Sequence, residues 1–129
     1  MGEKVSRDYR KLRVFSSADE LAFEIYKITM QFPHSEQYGI TSQLRGTALS
    51  VPTNIVEGSQ RSTVNDYLHF LDMAFGSLAE TGYLIEFAFK LGYIDNISKA
   101  HIIQKHENCI KQLKALIKFH RPQNHKPKT

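Results

Sequence analysis

The sequence has one cysteine, no tryptophan and no long apolar run. Cys109 alone cannot form an internal disulfide, which is typical of a reducing compartment. No stretch approaches the roughly 20 apolar residues of a membrane span. The first residues, MGEKVSRDYRKLRVF, lack the apolar core of a secretory signal. These absences predict a soluble, cytoplasmic protein that has no membrane partner.

The usual signatures of catalytic and metal sites are missing as well. The sequence has no Gly-rich phosphate loop and no Gly-x-Ser-x-Gly elbow. A di-iron bundle needs paired Glu-x-x-His motifs, and the chain offers only Asp66-x-x-His69. His106 and Cys109 share a helix face but are only two ligands, too few for zinc. We therefore predict no catalytic residue, no metal, no cofactor and no enzyme activity.

Length and charge bound the organisation of the chain. It has 129 residues, of which 41% are hydrophobic, enough for one domain with its own core. The net charge of +4 is mildly basic. We predict a basic N-terminal arm over residues 1–14, a helical bundle over 15–120 and a basic, flexible tail over 121–129.

Apolar residues recur every three or four positions in four segments, which is typical of helices that bury one face. The spacing predicts helices over residues 17–32, 41–58, 63–92 and 96–120. Their apolar positions are Ala18, Leu21, Ile25, Ile28 and Phe32; Leu44, Ala48, Val51 and Ile55; Tyr67, Leu71, Ala74, Leu78, Ile85 and Ala88; and Ile103, Ile110, Leu113 and Ile117, with His106 on the last seam. Four such helices with short connections predict an all-α protein, an antiparallel up-down four-helix bundle.

Polar and small residues fix the predicted helix ends and approaches. The predicted caps are Ser17 with Glu20, Thr41 or Ser42, Thr63 with Asp66, and Asn96 or Ser98, and the predicted ends are Pro33, Gly58, Gly92 and Pro122. Pro52 predicts a kink in the second helix. Gly76-Ser77 and Gly82 predict close approach between helices, because no long side chain separates the backbones there.

A polar stripe runs along the second helix beside its apolar seam. Its members step by three and four residues and are Gln43, Thr47, Ser50, Asn54, Glu57 and Arg61. These side chains are shorter than those of an ordinary solvated face. One interpretation of the stripe is polar pairing across helices or subunits, in which Arg45 and Glu80 of the third helix also take part. The alternatives are a groove for a partner protein, or a ligand site centred on Asn54 and Glu57.

A second stripe is basic and lies on the fourth helix. Lys111, Lys114, Lys118 and Arg121 share one face, and Lys126 and Lys128 follow in the tail. Such a face can neutralise phosphates without reading base sequence. Lysines near a helix C-terminus also interact favourably with the helix dipole, so a merely solvated face is the second interpretation.

The chain resembles the 23S rRNA intervening-sequence proteins over about residues 12–118. The motifs that carry the resemblance are Phe32-Pro33, Tyr38-Gly39, Ser42-Gln43-Leu44-Arg45, Ser50-x-Pro52-x-Asn54-Ile55-x-Glu57-Gly58 and Gly76-Ser77-x-x-Glu80. The family usually has a second arginine where this chain has Gly46, and often a basic residue where it has Phe75.

The resemblance implies a four-helix bundle that assembles into a ring-like homopentamer. It also implies a relation to the accessory variability determinant of diversity-generating retroelements, which binds nucleic acid and a reverse transcriptase. It implies no established enzymatic activity. We therefore expect a self-assembling scaffold that binds RNA or DNA through basic surfaces. The alternatives are an accessory factor that binds another protein, and a small-ligand or enzyme site at Asn54 and Glu57.

Overall fold

The computed structural model describes residues 7–121, and this part of the chain is helical, with no strand. The helices are α1 (Arg13–Thr29), α2 (Ile40–Ser59), α3 (Val64–Lys90) and α4 (Asn96–His120), with short 3-10 helices at Tyr9–Lys11 and His34–Glu36. None of the described helices is long and apolar enough to cross a membrane. The predicted all-α class is confirmed.

The helices form a closed four-membered arrangement. Each packs against the next in sequence, and α4 packs back against α1. Contacts between neighbours run in opposite chain directions: Thr81 of α3 bonds Thr47 of α2, whereas Ser77, earlier in α3, bonds Ser50, later in α2. This is the pattern of an antiparallel up-down bundle.

The core lies on the predicted apolar seams of α1, α2 and α3, but the seam of α4 is rotated. Ile102, Cys109 and Leu113 are the buried residues of α4. The predicted Ile103 and Ile110 are half-buried and line a groove between α3 and α4. Cys109 is completely buried, and burial raises the pKa of its thiol to about 12. It packs as a small apolar side chain.

The predicted start of α1 is wrong. The helix begins at Arg13, so the last two residues of the predicted arm are helical, and Ser17 lies within the helix. The Ser17 hydroxyl donates to Gln112 Oε1 of α4 at 2.7 Å instead of capping α1. The reason is that the buried seam extends back to Val14, one helical turn before Ala18.

The predicted cap of α2 is also wrong. The helix begins at Ile40, and the carboxylate of Glu36 accepts from its N–H at 3.4 Å. Thr41 is buried within the first turn. The helix continues through the buried Pro52, and the kink there stays a prediction.

The glycines of α2 and α3 fall into two classes. A Cβ on Gly58 would lie 2.9 Å from Phe70 Cβ, and one on Gly82 would lie 2.7 Å from the His106 ring. Gly82 therefore gives the predicted close approach, and His106 Nε2 lies 2.7 Å from the Leu78 carbonyl beside it. Gly58 serves close approach too, not the predicted helix end. The prediction for Gly76 is wrong, because nothing lies within 4 Å of its Cβ position.

The remaining ends follow capping chemistry. Thr63 Oγ1 accepts from the Asp66 N–H at 3.1 Å, as predicted. The cap of α4 is Asp95, one residue before the predicted Asn96, and it accepts from the Ser98 N–H at 2.7 Å. That bond holds the pKa of Asp95 below its usual value. Gly92 follows α3 with a φ of 83°, which confirms it as the helix-ending residue.

Candidate functional site

Half of the polar stripe forms a ladder of small polar side chains between α2 and α3. Ser50 Oγ lies 2.9 Å from Ser77 Oγ, and Thr81 Oγ1 donates to Thr47 Oγ1 at 3.1 Å. Asn54 Nδ2 donates to the Ser50 carbonyl at 2.8 Å and to its hydroxyl at 3.0 Å. The polar ladder is half-buried to buried. It pairs the donors and acceptors of the α2–α3 contact within one chain.

The longer side chains of the stripe point elsewhere. Arg45 Nε donates to Thr29 Oγ1 of α1 at 2.7 Å, and its guanidinium lies 4.8 Å from the Tyr26 ring centroid. Arg61 pairs with Glu57 at 2.9 Å. Both arginines thus have partners other than the predicted Glu80, which is exposed, as is Gln43. The stripe as predicted therefore divides into the polar ladder and separate surface contacts.

A ligand site at Asn54 and Glu57 gains no support from this geometry. The Asn54 amide donates both of its bonds to Ser50. The Glu57 side chain is 58% exposed and paired with Arg61 one turn along the same helix. An exposed carboxylate with its own cation is the opposite of a desolvated binding group.

The basic stripe lies on the outer face of the C-terminal half of α4. Lys111, Lys114 and Lys118 are exposed, and none of them forms an ion pair with an acid in the described range. Arg121 pairs with Asp72 of α3 at 3.2 Å. The predicted Lys126 and Lys128 lie outside the described residues. The three lysines are thus available to anionic partners.

Beside the stripe lies a groove of about 450 Å³ between α3 and α4. Phe75 and Ile117 supply its apolar surface, and Lys114, Lys118 and Arg121 line it with Asp72. Phe75 thus contributes apolar surface under a cationic rim.

The N-terminal segment belongs to the same end of the molecule. Arg7 donates to the Arg61 carbonyl at 2.8 Å, and its guanidinium lies 4.4 Å from the Tyr67 ring centroid. The Tyr67 ring in turn meets His120 edge-on at 5.1 Å. Burial, and then the charge of Arg7, lower the pKa of His120. Sequence reasoning placed Arg7 in an irregular arm, because nothing local in the sequence shows that it reaches α3.

These contacts define a terminal end of the bundle, made of residues 7–17, 57–72 and 111–121. It holds nine lysines and arginines against four acids. The rest of the described chain holds five lysines and arginines against eight acids. The cations of the terminal end are Arg7, Arg10, Lys11, Arg13, Arg61, Lys111, Lys114, Lys118 and Arg121. One end of the molecule is therefore cationic and the remainder acidic.

Residues 7–121 contain no group of three or more His, Cys, Asp or Glu side chains that could hold a metal ion. His106 faces the Leu78 carbonyl, and Cys109 is sealed in the core. The chemistry that the described surface offers is electrostatic: exposed ammonium and guanidinium groups beside apolar grooves.

Fold and surface together define an antiparallel four-helix bundle with a polar α2–α3 contact and one cationic end. The sequence model of the 23S rRNA-intervening sequence protein family matches residues 10–115. The chain belongs to this family, as its motifs predicted.

The fold also occurs in solved structures. A protein of unknown function of the S23 ribosomal protein family, from Bacteroides thetaiotaomicron VPI-5482, superposes with a TM-score of 0.76 at 23% sequence identity. The match covers 81% of this chain and 95% of that one. No curated protein matches the sequence. The likeness supports the bundle architecture.

Proposed function

We propose that this protein is a non-enzymatic, self-associating scaffold that binds nucleic acid through its terminal end. The observation that carries the proposal is the separation of charge along the bundle. Cations from the N-terminal segment, the α2–α3 connection and α4 converge on one end, although they are distant in sequence. The sequence beyond that end adds Lys4, Lys126 and Lys128 and one acid, Glu3.

A phosphate backbone is the partner that this surface suits best. Lysines spaced by three and four residues along a helix can each neutralise a phosphate, and the release of counterions then supplies affinity without base recognition. The side chains involved are exposed, so binding them costs little desolvation. The polar ladder has a structural role in this proposal, fixing how α2 packs on α3.

Charge reversal on α4 tests the proposal. Lys114→Glu with Lys118→Glu should weaken the binding of a short duplex at low salt by about 10- to 100-fold, because two phosphate contacts become repulsions. Fluorescence anisotropy measures the affinity.

The matched control is Lys27→Glu with Lys90→Glu, which changes net charge equally at the opposite end. It should weaken binding by less than about threefold. If both double variants lost affinity equally, the net charge of the protein alone would determine binding. That result would contradict a binding surface at the terminal end.

Self-association is the second part of the proposal. Phe23, Met30 and Ile97 are 68%, 76% and 83% exposed. Met30 and Ile97 line a groove of about 620 Å³ between α1 and α4. Large apolar side chains left in water at such positions are typical of protein interaction sites. The number five comes from the family resemblance.

Mass in solution tests the assembly. We expect light scattering to give five times the chain mass of 14.8 kDa. A mass of one chain at every concentration measured would contradict self-association. The exposed apolar side chains would then be a binding site for a different protein.

An accessory factor that binds only protein is the second candidate. The groove at Phe75 and Ile117, with its cationic rim, suits an acidic amphipathic helix. This candidate predicts no affinity for RNA or duplex DNA at low salt.

A further inference from the structure

Phe119 is an exposed aromatic residue that the proposed function leaves unexplained. It lies in the last turn of α4 and is 80% exposed. It borders a groove of about 450 Å³ between the start of α1 and α4, where Leu12 and Leu116 are half-buried. Neither a solvated helix end nor a phosphate-binding surface requires an exposed ring there.

The cations around this groove are on both helices. Arg13 of α1 and Lys111 of α4 line it and are exposed. Lys11 precedes Arg13 on the same segment and is exposed as well. Among the described side chains that line the groove there is no acid. The groove thus combines a cationic rim, an apolar floor and one exposed aromatic ring.

From this combination, and resting on the proposed function, we propose that the α1–α4 groove binds a single-stranded segment of nucleic acid. A base stacks on Phe119, and the flanking phosphates contact Arg13 and Lys111. Every base has a π-face, so stacking on an aromatic ring tolerates any sequence, while the cations follow the backbone. A duplex keeps its base faces inside its own stack and can use only the cations.

Other occupants fit the groove less well. A membrane surface requires a continuous apolar face, and the exposed Met30 and Ile97 lie at the opposite end of the bundle. An acidic peptide would satisfy the cations but has no general use for an exposed ring. Competition by polyglutamate separates that case from nucleic acid.

The test compares single-stranded and duplex oligonucleotides of the same sequence by anisotropy at low salt. Phe119→Ala should weaken single-strand binding about tenfold, the loss of one stacked base. Duplex binding should stay within about twofold. Tyr38→Ala is the matched control, since its ring is also exposed but lies in the α1–α2 connection at the far end, and it should change neither affinity.

A second variant reports stacking directly. The protein has no tryptophan, so Phe119→Trp introduces a single indole. We expect its fluorescence to be quenched by a single strand, with affinity retained, and to change little with duplex.

Three results would overturn the inference. They are unchanged single-strand affinity in Phe119→Ala, an equal loss for both oligonucleotides, and displacement of the single strand by polyglutamate at equal charge concentration. In the first two cases nucleic-acid binding by the terminal end still stands. If the unmodified protein binds neither oligonucleotide, the proposed function fails as well.

Discussion

Replacing Tyr67 with alanine should lower the free energy of unfolding by about 3 to 5 kcal/mol, the cost of removing a large buried ring. Tyr67 is 1% exposed and lies where three parts of the chain meet. Its ring packs next to Gly58 of α2. The guanidinium of Arg7 lies over one face of the ring, and the His120 ring contacts it edge-on.

Tyr83→Ala is the matched control, since Tyr83 is on the same helix but 63% exposed. Its replacement should change stability by less than about 0.5 kcal/mol. Urea denaturation of both variants, followed by circular dichroism, measures the difference. Equal stabilities would mean that the N-terminal segment and α4 do not depend on the Tyr67 ring.

Gly58→Ala should lower the free energy of unfolding by about 1 to 3 kcal/mol, the usual cost of overpacking. The added methyl would lie 2.9 Å from Phe70 Cβ and 3.2 Å from Tyr67 Cδ1. Phe70 Cβ is fixed to the α3 backbone and cannot rotate away, so the two helices must separate. That cost exceeds the roughly 1 kcal/mol that alanine gains over glycine within a helix.

Gly76→Ala is the same glycine-to-alanine change at an open position, and it should raise the free energy of unfolding instead of lowering it. Its Cβ would meet nothing within 4 Å, so only helix propensity acts, and stability should rise by up to about 1 kcal/mol. Melting temperatures of the two variants give the comparison. If Gly58→Ala were the more stable protein, the close approach of α2 to α3 would be wrong.

The sequence was sufficient to predict the bundle because its apolar spacing is regular. The seams of α1, α2 and α3 are buried as predicted, except that Ile28 of the first seam is half-buried. The α4 seam was misplaced because isoleucines lie on two adjacent faces of the helix, and spacing alone does not decide between Ile102 and Ile103. Cys109 lies at the centre, where its small size fits, while Ile103 and Ile110 flank the groove.

Helix ends were harder to predict because several residues at each end have capping side chains. The capping box at Ser17 has the right spacing, but its hydroxyl is used by Gln112 of α4. The N-cap of α2 is Gly39, which has no capping side chain, and the Ile40 N–H donates to the carboxylate of Glu36. Such choices depend on tertiary contacts, which local spacing does not contain.

The candidate surface was predicted in part. The lysines of α4 were recognisable from their spacing, since they share one helix face. The contributions of Arg7 and Arg61 were not, because only the folded chain brings them to Tyr67 and Phe70. The polar residues of α2 also have different partners that only the folded chain reveals. Ser50 is hydrogen-bonded to Ser77 of α3, whereas Arg45 is hydrogen-bonded to Thr29 of α1.

The affinity of the unmodified protein for a short duplex, measured against salt concentration, tests the central claim most directly. If three lysines of α4 each neutralise a phosphate, the logarithm of the binding constant should fall with the logarithm of salt at a slope of about −3. Lys114→Glu with Lys118→Glu should reduce that slope by about 2. A slope near zero, or no binding at low salt, would contradict nucleic-acid binding through the terminal end.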